Sequence, residues 1–228
     1  MRSLKYLMSG LLLALLASCG GGGGCASSAG CSTQDVSAPP SSAIAVSIGF
    51  DGSLASVDND IRYAKTFAVS VTDQDGLPVA GADVTPTVSI PFYIKGFVNR
   101  VGTTTVAASV IEQAFCPNED VNLNDVLDPG EDINGDGEIS PRQALVSVTP
   151  AKATTDGNGI AFFQVRYFKS HAIWMQYRFA AQAKVSTTEG VASLNQRTSF
   201  IVGDDVALTA PPFARSPWGV GLLCTDTL

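Results

Sequence analysis

The sequence predicts an all-β fold, an antiparallel β-sandwich that carries one strongly acidic insertion. Apolar and polar residues alternate with a period of two in several segments, as they do in strands with one buried and one solvent-facing side. Turn-forming residues separate these segments, and no segment has the period of an amphipathic helix. Many short strands between turns favour two packed antiparallel sheets.

The N-terminal residues 1–18 have the pattern of a bacterial lipoprotein signal peptide. Two basic residues precede an apolar run over residues 7–17, which is too short to span a bilayer. The sequence Leu-Ala-Ser-Cys that ends at Cys19 resembles a lipobox, which implies cleavage before Cys19 and lipidation of this residue. Residue 20 is Gly, not the Asp that commonly signals inner-membrane retention in such lipoproteins. The resemblance therefore implies a lipid anchor in the outer membrane, at the cell surface or on the periplasmic face.

Residues 19–42 are predicted to form a flexible tether, because Gly, Ser, Ala and Pro dominate them. Cys25 and Cys31 lie close enough in this segment to pair in an oxidising compartment. Cys116 and Cys224 form a second candidate pair, although four cysteines allow three pairings and the sequence does not choose among them. A zinc site is a poor alternative, because the chain has no Cys-x2-Cys spacing and one histidine.

Residues 43–228 are predicted to form one globular domain that is long enough to bury a core. Alternation over residues 67–71 and 175–185 indicates strands, and we place turns at residues 73–76, 156–159 and 188–190. The domain carries an insertion, residues 116–143, and an irregular tail, residues 206–228. Prolines in the tail remove the donors that a sheet interior needs, so we expect the tail to pack across the sandwich.

The insertion concentrates the charge of the chain. Residues 116–143 hold eight of the 21 acidic residues and a single base, Arg142, so their formal charge of −7 equals the net charge of the whole chain. Side chains with oxygen atoms recur within it at the spacing of a twelve-residue EF-hand loop, in which alternate residues point inward at a calcium ion. An acidic, solvated loop without bound metal is the alternative interpretation.

Two such loops follow each other without a gap, and we number the positions of each from 1 to 12. Loop 1 is residues 120–131, and loop 2 is residues 132–143. The predicted ligands of loop 1 are Asp120, Asn122, Asn124, the carbonyl of Val126, Asp128 and Glu131. The predicted ligands of loop 2 are Asp132, Asn134, Asp136, the carbonyl of Glu138 and Ser140. Position 12 of loop 2 is Gln143, which lacks a carboxylate, so loop 2 is expected to bind calcium more weakly.

The two loops directly follow each other, which leaves no space for flanking helices. In this respect the insertion resembles the helix-poor calcium repeats of thrombospondin type 3 modules and similar repeats of bacterial surface proteins. Two further segments resemble bacterial Ig-like domains of the invasin and intimin type. Residues 71–84 are similar to the family's Gly-x-Pro-Val-x-Gly-x-x-Val signature, and residues 154–161 are similar to its Thr-Asp-x-x-Gly-x-Ala turn. This resemblance implies an Ig-like β-sandwich, into which the calcium loops are inserted.

No convincing catalytic motif is present. His171 is predicted to be a solvated residue in a loop between strands, and no Gly-x-Ser-x-Gly elbow accompanies it. The adjacent pair Asp204 and Asp205 is better explained as a solvated turn than as a glycosidase pair. Nucleic acid is an improbable partner, because the excess charge is acidic and the basic residues are scattered.

The sequence thus predicts a non-catalytic, lipid-anchored envelope protein that uses calcium to stabilise an inserted loop and binds a protein or glycan at the cell surface, in adhesion or in a structural assembly. One alternative is a carbohydrate-binding enzyme accessory, which would expose Tyr93, Trp174 or Trp218 beside the loops. Another is a subunit of a surface fibre or secretion complex, completed by a donated strand at an unpaired, uncharged sheet edge.

Overall fold

The computed structural model describes residues 43–99, 109–201 and 213–227. The predicted signal peptide and tether, with Cys19, Cys25 and Cys31, lie outside these ranges, as does the pair Asp204 and Asp205. In chain order the strands are β1 (Ile44–Phe50), β2 (Ala55–Val57), β3 (Arg62–Asp73), β4 (Asp83–Asn99), β5 (Ser109–Pro117), β6 (Val146–Thr149), β7 (Ala153–Thr154), β8 (Ile160–Phe168), β9 (Met175–Val185) and β10 (Thr188–Arg197). The helical segments of the described residues are two 3-10 turns, Gln143–Leu145 and Lys169–His171.

The strands form two antiparallel sheets, which pack face to face. The first sheet has the order β1-β3-β8-β6, and β2 also pairs with β3. The second sheet has the order β10-β9-β4-β5, and β7 also pairs with β4. The chain crosses between the sheets after β3, β5, β6, β7 and β8. The predicted all-β antiparallel sandwich is confirmed.

The period-two pattern buries one side of each sheet, as the sequence predicted. In β3 the predicted inward residues Phe67, Val69 and Val71 are fully buried. In β9 the inward residues from Met175 to Ala183 are also fully buried, and the residues between them are more exposed.

Aromatic rings from the two sheets meet in the core. Phe67 of the first sheet stacks on Phe179 of the second, with ring centroids 4.6 Å apart, and Phe163 approaches the same ring at 6.3 Å. Tyr167 and Tyr177 form a further contact across the interface at 6.1 Å. Such aromatic pairs contribute about 0.5–1.5 kcal/mol each beyond the burial of their area, so these rings hold the two sheets together.

Two of the three predicted turns are confirmed, and the third is displaced. Gly76 and Gly159 adopt φ of +77° and +73°, and their amides donate to the carbonyls of Asp73 and Asp156 at 3.1 and 3.0 Å. The turn predicted at residues 188–190 was wrong, because these residues begin β10. The hairpin turns at residues 186–187 instead, where Ser186 adopts φ of +55° and allows a two-residue connection.

The two segments that resemble the Ig-like family lie against each other. The amide of Gly81 donates to the carbonyl of Thr155 at 2.9 Å, and the amide of Thr155 donates to the carbonyl of Ala82 at 3.0 Å. The hydroxyl of Thr155 also donates to the carbonyl of Val79 at 2.6 Å. A side chain at Gly159 would meet the carbonyl oxygen of Val71 at 2.6 Å, which explains the glycine in the second segment.

The C-terminal tail is attached to the second sheet by backbone pairing and a disulfide bond. The amide of Val98 donates to the carbonyl of Ala214 at 2.8 Å, and the amide of Gly96 donates to the carbonyl of Gly219 at 2.9 Å. Cys224 is disulfide-bonded to Cys116, the buried residue near the end of β5. The candidate pair of Cys116 and Cys224 is therefore confirmed, and the described part of the tail, residues 213–227, packs across the sandwich as expected.

Candidate metal centre

The acidic insertion leaves the sandwich at the end of β5 and is attached to β4 at its base. The amide of Asn118 donates to the carbonyl of Pro91 at 2.9 Å, and its side chain donates to the carbonyl of Ile90 at 2.7 Å. The amide of Glu119 donates to the carbonyl of Ser140 at 3.1 Å, which joins the start of loop 1 to the end of loop 2. The two loops are therefore held in a fixed position on the sheet.

Loop 1 folds around the carboxylate at its first position. Asp120 accepts hydrogen bonds from the amides of Asn124 and Asp125 at 3.0 and 2.9 Å. The side-chain oxygen of Asn122 accepts from the amide of Asn124 at 3.0 Å, and that of Asn124 accepts from the amide of Val126 at 2.7 Å. Because short Asx side chains bond to backbone two residues ahead, the chain curls and its side-chain oxygens turn inward.

Loop 2 repeats these hydrogen bonds at the same positions. Asp132 accepts from the amides of Asp136 and Gly137, at 3.1 and 3.0 Å. The side-chain oxygen of Asn134 accepts from the amide of Asp136 at 2.9 Å, and that of Asp136 accepts from the amide of Glu138 at 2.8 Å. The sequence repeat is therefore also a repeat of three-dimensional structure.

The backbone has a left-handed conformation at the same two positions of each loop. Position 4 is Leu123 in loop 1 and Gly135 in loop 2, with φ of +59° and +73°. Position 6 is Asp125 in loop 1 and Gly137 in loop 2, with φ of +57° and +79°. Glycine adopts this conformation without strain, whereas Leu and Asp do not. Loop 1 therefore adopts the shape of loop 2 at a higher conformational cost.

Predicted ligands of loop 1 contact one another, largely through hydrogen bonds that side-chain amides donate. The side-chain amides of Asn122 and Asn124 donate to one oxygen of Asp128 at 2.8 and 3.0 Å. Glu131 accepts from the amides of Val121 and Asp128 at 3.1 and 3.0 Å, and so folds back over the loop. Within the residues that the structure describes, no three His, Cys, Asp or Glu side chains form a group that could hold a metal ion.

The predicted ligands of loop 2 are less closely joined. The side-chain amide of Asn134 donates to Asp136 at 2.9 Å. Ser140 contacts Glu119 instead, to which its backbone amide donates at 2.8 Å. The side chain of Glu138 is exposed and lies 3.7 Å from Arg142, which leaves its carbonyl as the predicted ligand. Val126, at the same position of loop 1, also has an exposed side chain.

Three carboxylates at this site are buried without a basic partner. Glu119, Asp120 and Glu131 are 0%, 1% and 8% exposed. None of them forms an ion pair with a Lys, Arg or His of the described ranges. Backbone amides stabilise these carboxylates, but burial of a charge remains costly without a countercharge. A divalent cation would supply that charge, so the residues fit a hard, oxygen-binding ion.

Glu119 is the residue that our sequence reasoning missed. Burial raises the pKa of its carboxyl group, although hydrogen bonds from the amides of Ser140, Asn134 and Ile133 oppose the shift. Burial, together with the charges of Glu119 and Asp136, also raises the pKa of Tyr93 to about 12. A signal for Glu119 was present in the sequence, because the pair Glu-Asp occurs at residues 119–120 and again twelve residues later.

The aromatic residues considered for glycan recognition are buried. Tyr93, Trp174 and Trp218 are 1%, 0% and 6% exposed. The indole of Trp174 donates to the carbonyl of Phe213 at 2.8 Å, and Trp218 packs on Tyr93 with ring centroids 5.1 Å apart. These side chains join the tail to the core and are not available for stacking on a sugar.

The expected environment of His171 was wrong. His171 lies between strands, as predicted, but its ring packs edge-on against Trp218 at 5.1 Å and is partly buried. Burial lowers the pKa of His171 to about 4. The nearest hydroxyl is that of Ser170, 2.9 Å from Nδ1. The misjudgement arose because the sequence does not show that the distant tail covers this turn.

The outermost strands of the sheets differ in charge. β5 and β10 include Glu112 and Arg197, which form an ion pair at 2.5 Å. β1 and β6 contain no charged residue. On their outer sides neither has a ladder partner within the described parts of the chain. Among the described residues, β1 is therefore an uncharged edge strand of seven residues.

No protein-family model matches this chain, and no curated protein matches it. Among solved structures, the chain is similar to the ASH/PapD-like domain of human CEP192, PapD-like domain 7. That similarity has a TM-score of 0.33 and 10% sequence identity, and it covers 73% of this chain and 92% of that chain. Within the described residues, no helix has the length and apolarity needed to cross a membrane.

Proposed function

We propose that this chain is a lipid-anchored envelope protein of the bacterial Ig-like type, whose sandwich acts as a non-catalytic adhesion or structural module and whose insertion is stabilised by calcium. Its anchor is the lipidated Cys19 in the outer membrane, at the cell surface or on the periplasmic face. The sandwich presents the two loops to a protein or glycan partner.

The observation that carries the calcium proposal is the repeat of the two loops together with their buried charge. Random acidic loops have no reason to form the same side-chain bonds at the same positions twice in succession. Loop 1 would hold its ion through the six groups predicted from the sequence, and loop 2 through its five. Bound calcium would stabilise the folded insertion by neutralising carboxylates that repel one another in the free chain.

The non-catalytic proposal is supported by the surroundings of the candidate catalytic residues. His171 has a pKa near 4 and contacts aromatic rings, so it is a poor general base at neutral pH. The buried aromatics also disfavour the carbohydrate-binding alternative.

Thermal unfolding in calcium and in chelator tests the calcium proposal. Extracellular calcium modules bind with Kd of about 10⁻⁴ to 10⁻³ M. At calcium tenfold above Kd, two sites stabilise the native state by about 3 kcal/mol, which raises Tm of a domain of this size by roughly 6–11 °C. Magnesium at the same concentration is the control and is expected to have a smaller effect. Equal Tm values in calcium and chelator would contradict the proposal.

Replacement of Cys19 tests the anchor. The full chain with Cys19→Ser is expected to leave the membrane fraction, and radiolabelled palmitate should label the unaltered chain but not this variant. Cys25→Ser is a matched control, because it removes a thiol from the same predicted tether and retains the lipobox. Membrane association that survives Cys19→Ser would show that another element attaches the protein.

A second candidate function, a fibre or secretion subunit completed by a donated strand, is favoured by the uncharged edge of β1. Because charged residues block strand addition at an edge, Ser47→Lys should abolish assembly. Sedimentation velocity over a range of concentrations measures it. A chain that remains monomeric at every concentration would exclude self-assembly through this edge.

A further inference from the structure

Loop 2 cannot be closed by its own twelfth residue. In loop 1, Gly130 adopts φ of +95°, and the chain turns so that Glu131 folds back over the loop. The corresponding residue of loop 2, Arg142, has φ of −70° and ψ of 139°, which is an extended conformation. This conformation carries Gln143 to β4, where its side-chain amide donates to the carbonyl of Val88 at 2.8 Å. Position 12 of loop 2 is therefore vacated by Gln143.

Glu119 makes in loop 2 the contacts that Glu131 makes in loop 1. Glu131 accepts from the amides at positions 2 and 9 of loop 1, with its two oxygens at 3.1 and 3.0 Å from them. Glu119 accepts from the amides at positions 2 and 9 of loop 2, which are Ile133 at 3.2 Å and Ser140 at 2.8 Å. The two carboxylates thus take equivalent places, although Glu119 precedes its loop by thirteen residues.

The burial of Glu119 points to a cation independently of the loop geometry. Its side chain is fully buried, and no basic side chain within the described ranges compensates its charge. Three amides stabilise the carboxylate, but uncharged donors offset only part of the cost of burying a full negative charge. An uncompensated buried carboxylate that faces a second oxygen-lined loop is best explained as a ligand of a divalent ion.

We propose that Glu119 supplies the closing carboxylate of a second divalent-cation site, formed with loop 2. This inference rests on the proposed calcium function and assigns loop 2 the carboxylate that its sequence register lacks. It also removes the reason to expect weaker binding at loop 2.

The assignment interlocks the two sites. Glu119 closes loop 2 and directly precedes Asp120, the first residue of loop 1, in the chain. In the same way, Glu131 closes loop 1 and directly precedes Asp132, the first residue of loop 2. Each Glu-Asp pair therefore serves both sites. An ion at one site orders both pairs, which lowers the conformational cost of binding at the other, so binding should be positively cooperative.

Calorimetric titration of the full chain with calcium chloride tests the assignment. The unaltered chain is expected to bind two ions per chain. Glu119→Gln should weaken one site by about 10- to 100-fold, because a ligating carboxylate is lost, and should reduce cooperativity. Asp125→Asn is the matched control. It removes one negative charge from the insertion at an exposed side chain that is not a predicted ligand, and it should leave both affinities within about twofold.

Gln143→Glu provides an independent test that does not depend on the folding of Glu119→Gln. If residue 143 itself supplied the ligand at position 12, a carboxylate there would increase the calcium affinity of loop 2. Because Gln143 faces β4 and Glu119 occupies the place, we expect no gain in affinity. A tenfold gain in Gln143→Glu, or two unchanged sites in folded Glu119→Gln, would overturn the assignment. An unaltered chain that binds no calcium would instead refute the proposed function itself.

Discussion

At the scale of single residues, the most informative feature is that the two loops share a backbone but not the residues that suit it. Loop 2 has Gly135 and Gly137 at its left-handed positions, whereas loop 1 has Leu123 and Asp125. The strain at Asp125 follows from the calcium-loop pattern, which has a glycine at position 6. The pattern does not indicate the strain at Leu123, because it has no fixed residue at position 4.

Replacing Leu123 with glycine is expected to stabilise the protein. Leu123 has φ of +59° and a side chain that is 53% exposed, so Leu123→Gly relieves strain and loses few contacts. We expect a gain of about 1 kcal/mol in the free energy of unfolding, measured with urea in the presence of calcium. Val121→Gly is the control. Val121 is also exposed but has no positive φ, so this change should lose about 0.5–1 kcal/mol. A loss in both variants would contradict the interpretation.

His171 makes stability depend on pH. Its pKa is about 4 in the folded chain and near 6.5 when solvated. Between these values the unfolded chain binds a proton that the folded chain does not, so the free energy of unfolding falls as pH is lowered through this window. We expect a loss of about 2 kcal/mol between pH 7 and pH 5.

His171→Phe isolates this contribution, because phenylalanine keeps a ring against Trp218 and does not titrate. Urea unfolding of the variant should lose about 2 kcal/mol less than the unaltered chain over the same pH range. Other titrating groups, including Glu119, affect both proteins alike. Parallel pH profiles would show that His171 is solvated.

At the scale of elements, the strands were predicted where burial alternates, and the connections were predicted less well. β3 and β9 could be recognised because one side of each faces the core and the other faces water. The third hairpin turn was misplaced because residues 188–190 contain a glycine, which suggested a turn. Gly190 lies instead in β10, where a side chain would meet Val46 at 2.9 Å and Ile44 at 3.1 Å. That glycine is required by packing between the sheets, which a single sequence does not reveal.

The disulfide between β5 and the tail is expected to contribute strongly to stability. It joins residues 108 positions apart, so it removes much of the entropy of the unfolded chain. The double variant Cys116→Ser/Cys224→Ser should lose about 3–5 kcal/mol in urea unfolding. Limited proteolysis should also release the tail sooner. A loss below 1 kcal/mol would show that the tail is held by its backbone hydrogen bonds and by Lys95, whose ammonium donates to the carbonyls of Leu223 and Asp226.

At the scale of the whole molecule, the sequence predicted the sandwich, the insertion and one disulfide, but not how the ends of the insertion meet. The choice of Cys224 as the partner of Cys116 was one of three possibilities, and the course of the tail decides it. Glu119 was overlooked for the same reason. Its role depends on loop 2 returning to the start of loop 1, where Ser140 accepts from the amide of Glu119. Local patterns predict strands and loops, whereas such closures depend on long-range contacts.

We propose that the insertion holds two calcium ions. Equilibrium dialysis of the purified full chain, with bound metal counted by atomic emission, measures this directly. We predict two calcium ions per chain at saturation, with half-saturation at roughly 10⁻⁴ to 10⁻³ M. Calcium that remains equal on both sides of the membrane up to about 10⁻² M would contradict the account, because buried carboxylates at the insertion would then have no ion to compensate them.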